Sequence, residues 1–118
     1  MSVDERIRVL LVDDHPVLQA GLRMLLNAEP DMLVVGMAAT ADQAVSLDDE
    51  LKPDIVLMDL SLPTENSRPN TAPEGLEAIR RIRAKRPGAR ILALTMHDDA
   101  GYLRAVLQAG GAGYVLKR

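Results

Sequence analysis

The sequence predicts an α/β domain in which a mostly parallel sheet carries helices on both faces. Short runs that stay apolar on consecutive positions alternate along the chain with segments that are apolar at helical spacing. Strands buried on both faces read this way, because neither side of such a strand meets water. The composition sets the scale: 118 residues, 47% apolar and 26% charged, make one globular domain and are too few for two ordinary ones. The β-α order recurs with no internal sequence repeat and no linker, and a string of that kind closes through right-handed crossovers.

Each element has its own signal. Arg8–Val12 reads as the first strand; Pro16, tolerated in a first helical turn, then opens a helix with the stripe Leu18, Leu22, Leu25 and Leu26. Met32–Met37 is the second strand, and it ends in Gly36-Met37 without a polar group, as an edge strand does. Thr40-Ala41-Asp42-Gln43 fits a capping box ahead of a weaker stripe of Ala44, Val45, Leu47 and Leu51. Ile55–Met58 is the third strand. Thr71-Ala72-Pro73-Glu74 fits a second capping box, and Leu76, Ile79 and Ile82 form the stripe behind it. Arg90–Leu94 is the fourth strand, Leu103, Val106 and Leu107 mark the fourth helix, and Gly110 stands where a left-handed C-cap is expected. Gly113–Leu116 is the fifth strand. With no Phe or Trp the core is aliphatic, and the six Met residues read as its gap-fillers.

Several function classes fall away. The absence of Cys removes disulfides, thiolate chemistry and Cys-based metal sites. A net charge of −3 leaves no electrostatic footprint for nucleic acid. The basic run Arg80-Arg81-Ile82-Arg83-Ala84-Lys85-Arg86 reads as the solvated face of one helix, with Glu77–Arg81 as a helical pair. No apolar run approaches the roughly 20 residues of a membrane span. The N-terminus has no basic segment followed by an apolar one, so a secretory signal is not expected and the domain is expected in the cytoplasm, away from the membrane.

In open parallel sheets ligands bind outside the carboxyl ends of the strands, at the topological switch point. Strand one ends in Asp13-Asp14, strand three in Asp59, strand four in Thr95 and strand five in Lys117. If these ends converge, three carboxylates share one pocket and call for a cation. Hard oxygen ligands suit Mg²⁺. Thr95 and Lys117 suit the oxygens of a transferring phosphoryl group, and Asp59, central and followed by a loop, is the best carboxylate nucleophile. The plainer reading of Asp13-Asp14 is helix capping, and Thr95 is at home in any strand. His15 and His97 flank the site without the close spacing of zinc motifs, and read as bystanders.

Val9-Leu10-Leu11-Val12-Asp13-Asp14-His15-Pro16, Leu57-Met58-Asp59-Leu60-Ser61-Leu62-Pro63, Leu94-Thr95 and Gly113-Tyr114-Val115-Leu116-Lys117 together resemble the motifs of two-component response-regulator receiver domains. The Asp-Asp-His-Pro start and Gly-Tyr-Val-Leu-Lys ending are most similar to the NarL/FixJ branch. The resemblance implies a flavodoxin-like (βα)5 fold with a five-stranded sheet in the order 2-1-3-4-5. It implies that Asp59 is the phosphoacceptor for a histidine kinase, and that Asp14, Asp59 and the Ser61 carbonyl ligate Mg²⁺. Asp13 matches the acid that holds the metal largely through water. Thr95 matches the switch hydroxyl, Tyr114 the switch aromatic, and Lys117 the cation paired with the acceptor or its phosphate. It further implies homodimerisation on phosphorylation and a DNA-binding helix-turn-helix output domain beyond residue 118.

Two departures stand out. Residues 64–74 separate Pro63 from Gly75, an insertion of about eight residues against the short loop usual there. The chain also stops at Arg118, where the fifth helix should begin, so one sheet face is expected to be covered by the first helix alone. The competing readings are an unphosphorylated pseudo-receiver acting as a protein-interaction module, and an aspartate-nucleophile phosphohydrolase. The latter wants an acid two residues after its nucleophile, and position 61 is Ser. A self-limiting phosphorylated switch, not a turnover enzyme, is the leading expectation.

Overall fold

Strands and helices alternate in the order that the apolar runs and stripes require. The computed structural model describes residues 6–60, 74–95 and 100–116. They form β1 (Ile7–Val12), α1 (Pro16–Asn27), β2 (Met32–Ala38), α2 (Ala41–Leu51), β3 (Ile55–Asp59), α3 (Glu74–Lys85), β4 (Ile91–Thr95), α4 (Ala100–Ala109) and β5 (Gly113–Leu116). The expected strands recur to within a residue at each end. Asp59 and Thr95 close their strands from inside, since the ladder extends one position further than the apolar run. The second capping box and most of the 64–74 insertion lie outside the described residues.

The strands form one sheet in the order β2-β1-β3-β4-β5, every neighbouring pair parallel. β2 is an edge strand, as its featureless end suggested. Its register against β1 slips once: Val9 faces Val34, but Leu10 faces Gly36. The chain passes from β1 outward to β2 and returns to β3 on the other side of β1, so the switch point lies between the ends of β1 and β3.

The main core lies between the sheet and α2, α3 and α4. Leu10 and Val12, Val56 and Met58, and Ile91 and Ala93 alternate inward from the strands against Ala44, Val45, Ile79, Ile82 and Val106. α1 packs on β1 and β2 across the sheet and has no fully buried residue. Leu18, Leu22 and Leu26 are half-buried, but Leu25, on a flank of the stripe, is 69% exposed. Leu107 likewise turns outward, about 100° around α4 from the buried Val106. Met58 does fill the core, whereas Met24 and Met37 are exposed, so the Met residues are not uniformly core.

Helix ends follow the local signals closely. The Thr40 side chain accepts a hydrogen bond from the Gln43 N–H at 3.2 Å, and the Gln43 side chain accepts one from the Ala39 N–H at 2.9 Å. The capping box therefore reaches one residue further back than in its simplest form. Gly110 has φ +106°, the left-handed conformation anticipated at the end of α4. α2 ends on a non-glycine residue in that region, Lys52 (φ 46°, ψ 60°), whose N–H donates to the Asp48 carbonyl at 2.8 Å.

The basic face of α3 is largely engaged in ion pairs and hydrogen bonds, two of them to α2. Arg81 reaches Asp42 of α2 at 2.8 Å, and Glu77 pairs with Arg80 at 3.4 Å. The expected Glu77–Arg81 pair is thus replaced, because Arg81 projects toward the acidic first turn of α2. Arg83 donates to the Ala89 carbonyl at 3.0 Å. Arg86 grips Asp48 through two bonds of 2.7 and 3.2 Å.

One glycine in this frame is dispensable. A Cβ at Gly21, mid-helix in α1, would meet nothing within 4 Å. Gly21→Ala is therefore expected to stabilise the fold by about 0.5–1 kcal/mol through helix propensity alone, read as a rise in urea midpoint at constant slope. A lowered midpoint would mean that α1 needs its smooth face at this position.

Candidate functional site: an acidic pocket at the switch point

Asp13 follows β1 directly, and its N–H donates to the Ala38 carbonyl of β2 at 3.0 Å. Its carboxylate is buried at 1% exposure, and Oδ1 accepts the His15 N–H at 2.8 Å. This carboxylate thus steadies the turn into α1 from inside the pocket; Asp13 and Asp14 precede the N-cap, which is His15, so the plainer reading of the pair as helix caps is not borne out. Asp14 is half-buried beside it. Asp59 closes β3, one strand away across the switch point, also at 1% exposure.

One ligating atom from each of Asp13, Asp14, His15 and Asp59 lies within 4.8 Å of all the others. The three carboxylates expected to converge do so. His15, read from the sequence as a bystander, stands beside them: Nδ1 is 3.0 Å from Asp13 Oδ1, 3.2 Å from Asp14 Oδ1 and 3.9 Å from Asp59 Oδ2. Its place directly after the Asp pair, at the N-cap of α1, was the signal available in the sequence.

Thr95, 3% exposed, ends β4 one residue past Leu94, the partner of Asp59 in the ladder. Thr95 pairs in turn with Leu116 of β5. Ser61, Lys117 and His97 lie outside the described residues. Tyr114 is placed in β5 opposite Ala93, and its side chain lies outside what is described.

Two supporting residues escaped the sequence reading. The Gln19 amide on α1 donates to the carbonyls of Asp13 at 3.1 Å and Ala38 at 3.2 Å, tying the ends of β1 and β2 together. Its position one turn beyond His15 was the only hint. Gly75, at the start of α3, presses against the backbone of Asp59 and Leu60: a Cβ there would stand 2.4 Å from the Asp59 carbonyl oxygen and 2.5 Å from Leu60 Cα. Its N–H donates to the Leu60 carbonyl at 3.2 Å.

Three hard carboxylates in so small a space form a donor set that fits Mg²⁺, which binds through one or two carboxylates and completes its shell with water or phosphate oxygens. Among the described residues no helix is long and apolar enough to cross a membrane.

A parallel sheet in this order with buried acids at the switch point is the architecture of a receiver domain, and the chain belongs to the response regulator receiver domain family, which matches residues 9–118. It is 42% identical over 111 residues to the oxygen regulatory protein NreC of Staphylococcus aureus, covering 94% of this chain and 48% of that one. It is 35% identical over 117 residues to the nitrate/nitrite response regulator protein NarL of Escherichia coli, covering 99% and 50%. The chain thus spans about half the length of these curated relatives. Among solved structures, a LuxR-family two-component response regulator from an Aurantimonas species superposes with a TM-score of 0.85 at 43% identity, covering 95% of this chain and 74% of that one. These likenesses support the NarL branch.

Proposed function

We propose that this receiver domain takes a phosphoryl group on Asp59 from a phosphohistidine of a sensor kinase, and thereby switches a transcription-regulating output. The observation that carries the reading is the convergence of Asp13, Asp14 and Asp59 at the switch point, with Asp59 buried beside Thr95 at the strand ends. An Asp59 carboxylate oxygen forms a bond to phosphorus as the phosphorus–nitrogen bond of the donor breaks. The imidazole leaves and takes up a proton from water, and an acyl phosphate remains on Asp59.

Asp14, Asp59 and the Ser61 carbonyl would hold Mg²⁺, with Asp13 acting largely through water. When bound, the ion offsets the charge of the gathered carboxylates and phosphoryl oxygens. The Thr95 hydroxyl donates to a phosphoryl oxygen, and Lys117 pairs with the new charge. Phosphorylation adds roughly 1.5 to 2 negative charges at pH 7. That charge draws Thr95 inward, and Tyr114 follows as the second half of the switch.

The partners of the complete regulator follow from its relatives. Those named above are an oxygen regulatory protein and a nitrate/nitrite response regulator. By analogy this receiver would work in the cytoplasm, dimerise on phosphorylation and act on DNA through a helix-turn-helix domain outside these 118 residues. The 64–74 insertion follows Asp59 closely in sequence, and its role would be to modulate access to the acceptor. The output domain and the partners rest on that analogy alone.

The test is incubation with acetyl phosphate, scored by intact mass. A Mg²⁺-dependent adduct of one phosphoryl group is expected on the wild type and none on Asp59→Asn. An adduct that survives the substitution would move the acceptor elsewhere. No adduct on either protein would favour the unphosphorylated interaction module.

A further inference from the structure

We infer that His15 is a nitrogen ligand of this cation site and biases it toward borderline transition-metal ions over Mg²⁺, an assignment that rests on the metal-assisted reading above. Ligands at about 2.0–2.1 Å from an octahedral ion sit about 3.0 Å apart when adjacent and about 4.2 Å when opposite. The His15 Nδ1 distances of 3.0, 3.2 and 3.9 Å to the three carboxylates fall within that span. The imidazole nitrogen thus stands at such spacing from carboxylates of two strand ends, and it is not an oxygen donor.

The backbone holds the imidazole where it is. The His15 N–H is bonded to Asp13 Oδ1 at 2.8 Å, and Pro16, with its restricted φ, begins α1 immediately after it. The ring is 62% exposed, while the Asp13 and Asp59 side chains it faces are at most 1% exposed. Nδ1 therefore reaches the dry side of the site from a wet surface; there it is the hydrogen-bond partner of Asp13 Oδ1 at 3.0 Å, and a bound ion would take the place of that proton, leaving the ring proton on Nε2. Imidazole suits ions such as Co²⁺, Ni²⁺ and Zn²⁺, whereas Mg²⁺ is held by oxygen. Removing His15 should consequently separate the two classes of ion.

The experiment is calorimetric titration of the chain with Co²⁺ and, separately, with Mg²⁺ at one fixed pH. Wild type, His15→Asn and His15→Ala are compared, Asn being a residue well suited to a helix N-cap. Co²⁺ affinity is expected to fall by about tenfold or more in both variants, while Mg²⁺ affinity changes less than about twofold. Electron spin-echo spectra of the Mn²⁺-loaded wild type should show nitrogen modulation from a bound imidazole, and the variants should lack it. Equal losses for Co²⁺ and Mg²⁺ would overturn the assignment. So would tighter binding of both ions by the variants, which would make Nδ1 a competitor for Asp13. Co²⁺ binding with the imidazole signal but without Mg²⁺ binding would sink the Mg²⁺-assisted reading while leaving His15 as a ligand.

Discussion

Arg86→Met is expected to lower the unfolding free energy by about 3 kcal/mol, the low end of the range for breaking a buried ion pair. Asp48 lies on the inward face of α2 at 2% exposure, where both carboxylate oxygens are met by the Arg86 guanidinium. Without Arg86 the carboxylate stays behind as a buried charge with its strongest partner gone. The low end applies because the Arg86 side chain is 24% exposed, so water can reach part of the space it vacates. Adding Asp48→Leu to that variant should recover most of the loss, since an apolar pair of similar volume often replaces a buried ion pair at little cost. Urea unfolding of the two variants checks both halves at once. A loss below about 1 kcal/mol for Arg86→Met would mean that Asp48 is hydrated in the folded protein.

No sequence pattern announces this clamp. Asp48 and Arg86 are 38 positions apart, and Arg86 read as part of a solvated basic helix face. What joins them is the packing of α2 beside α3 on one face of the sheet, a consequence of the strand order. Arg81 turns to Asp42 for the same reason, across 39 positions. Local features fared better. The Thr40 cap, the Gly110 turn and the stripe Leu76, Ile79 and Ile82 each depend on neighbours within one or two helical turns, and each stands where the sequence put it. Leu25 and Leu107 read as core on period alone, yet both face out. A stripe states which side of a helix is apolar, and the width of the neighbouring element decides how much of it is covered.

The pocket was legible for a different reason. A carboxylate at the end of an apolar strand is costly unless something awaits it, so Asp13 and Asp59 pointed to a shared site before any geometry was known. The parallel order β2-β1-β3 then places those two strand ends side by side. His15 and Gln19 were harder to see, because their side chains act through the turn between β1 and α1. One meets three carboxylates and the other bonds two carbonyls, contacts set by that turn's path and invisible to periodicity.

Gly75→Ala should show how closely the fold and the proposed acceptor, Asp59, are coupled. In an exposed helix this substitution would gain about 0.5–1 kcal/mol. Here the added Cβ would stand 2.4 Å from the Asp59 carbonyl oxygen and 2.5 Å from Leu60 Cα, and neither atom belongs to a side chain that could rotate away. Either α3 withdraws from the sheet or the end of β3 shifts. The first option opens the contacts of the buried Leu76 and Ile79, and the second moves the Asp59 backbone. Overpacking of this kind costs about 1–3 kcal/mol, which outweighs the helical gain, so a net loss of about 2 kcal/mol is expected in urea unfolding. The folded fraction should also accept phosphate from acetyl phosphate more slowly, by about tenfold, because displacement of a reacting group by an ångström is costly in rate. A variant that is destabilised yet phosphorylated at the wild-type rate would show that α3 yields and β3 does not. A variant with unchanged stability would contradict the close approach itself. Gly21→Ala serves as the internal control, the same chemical change made where no backbone stands in the way.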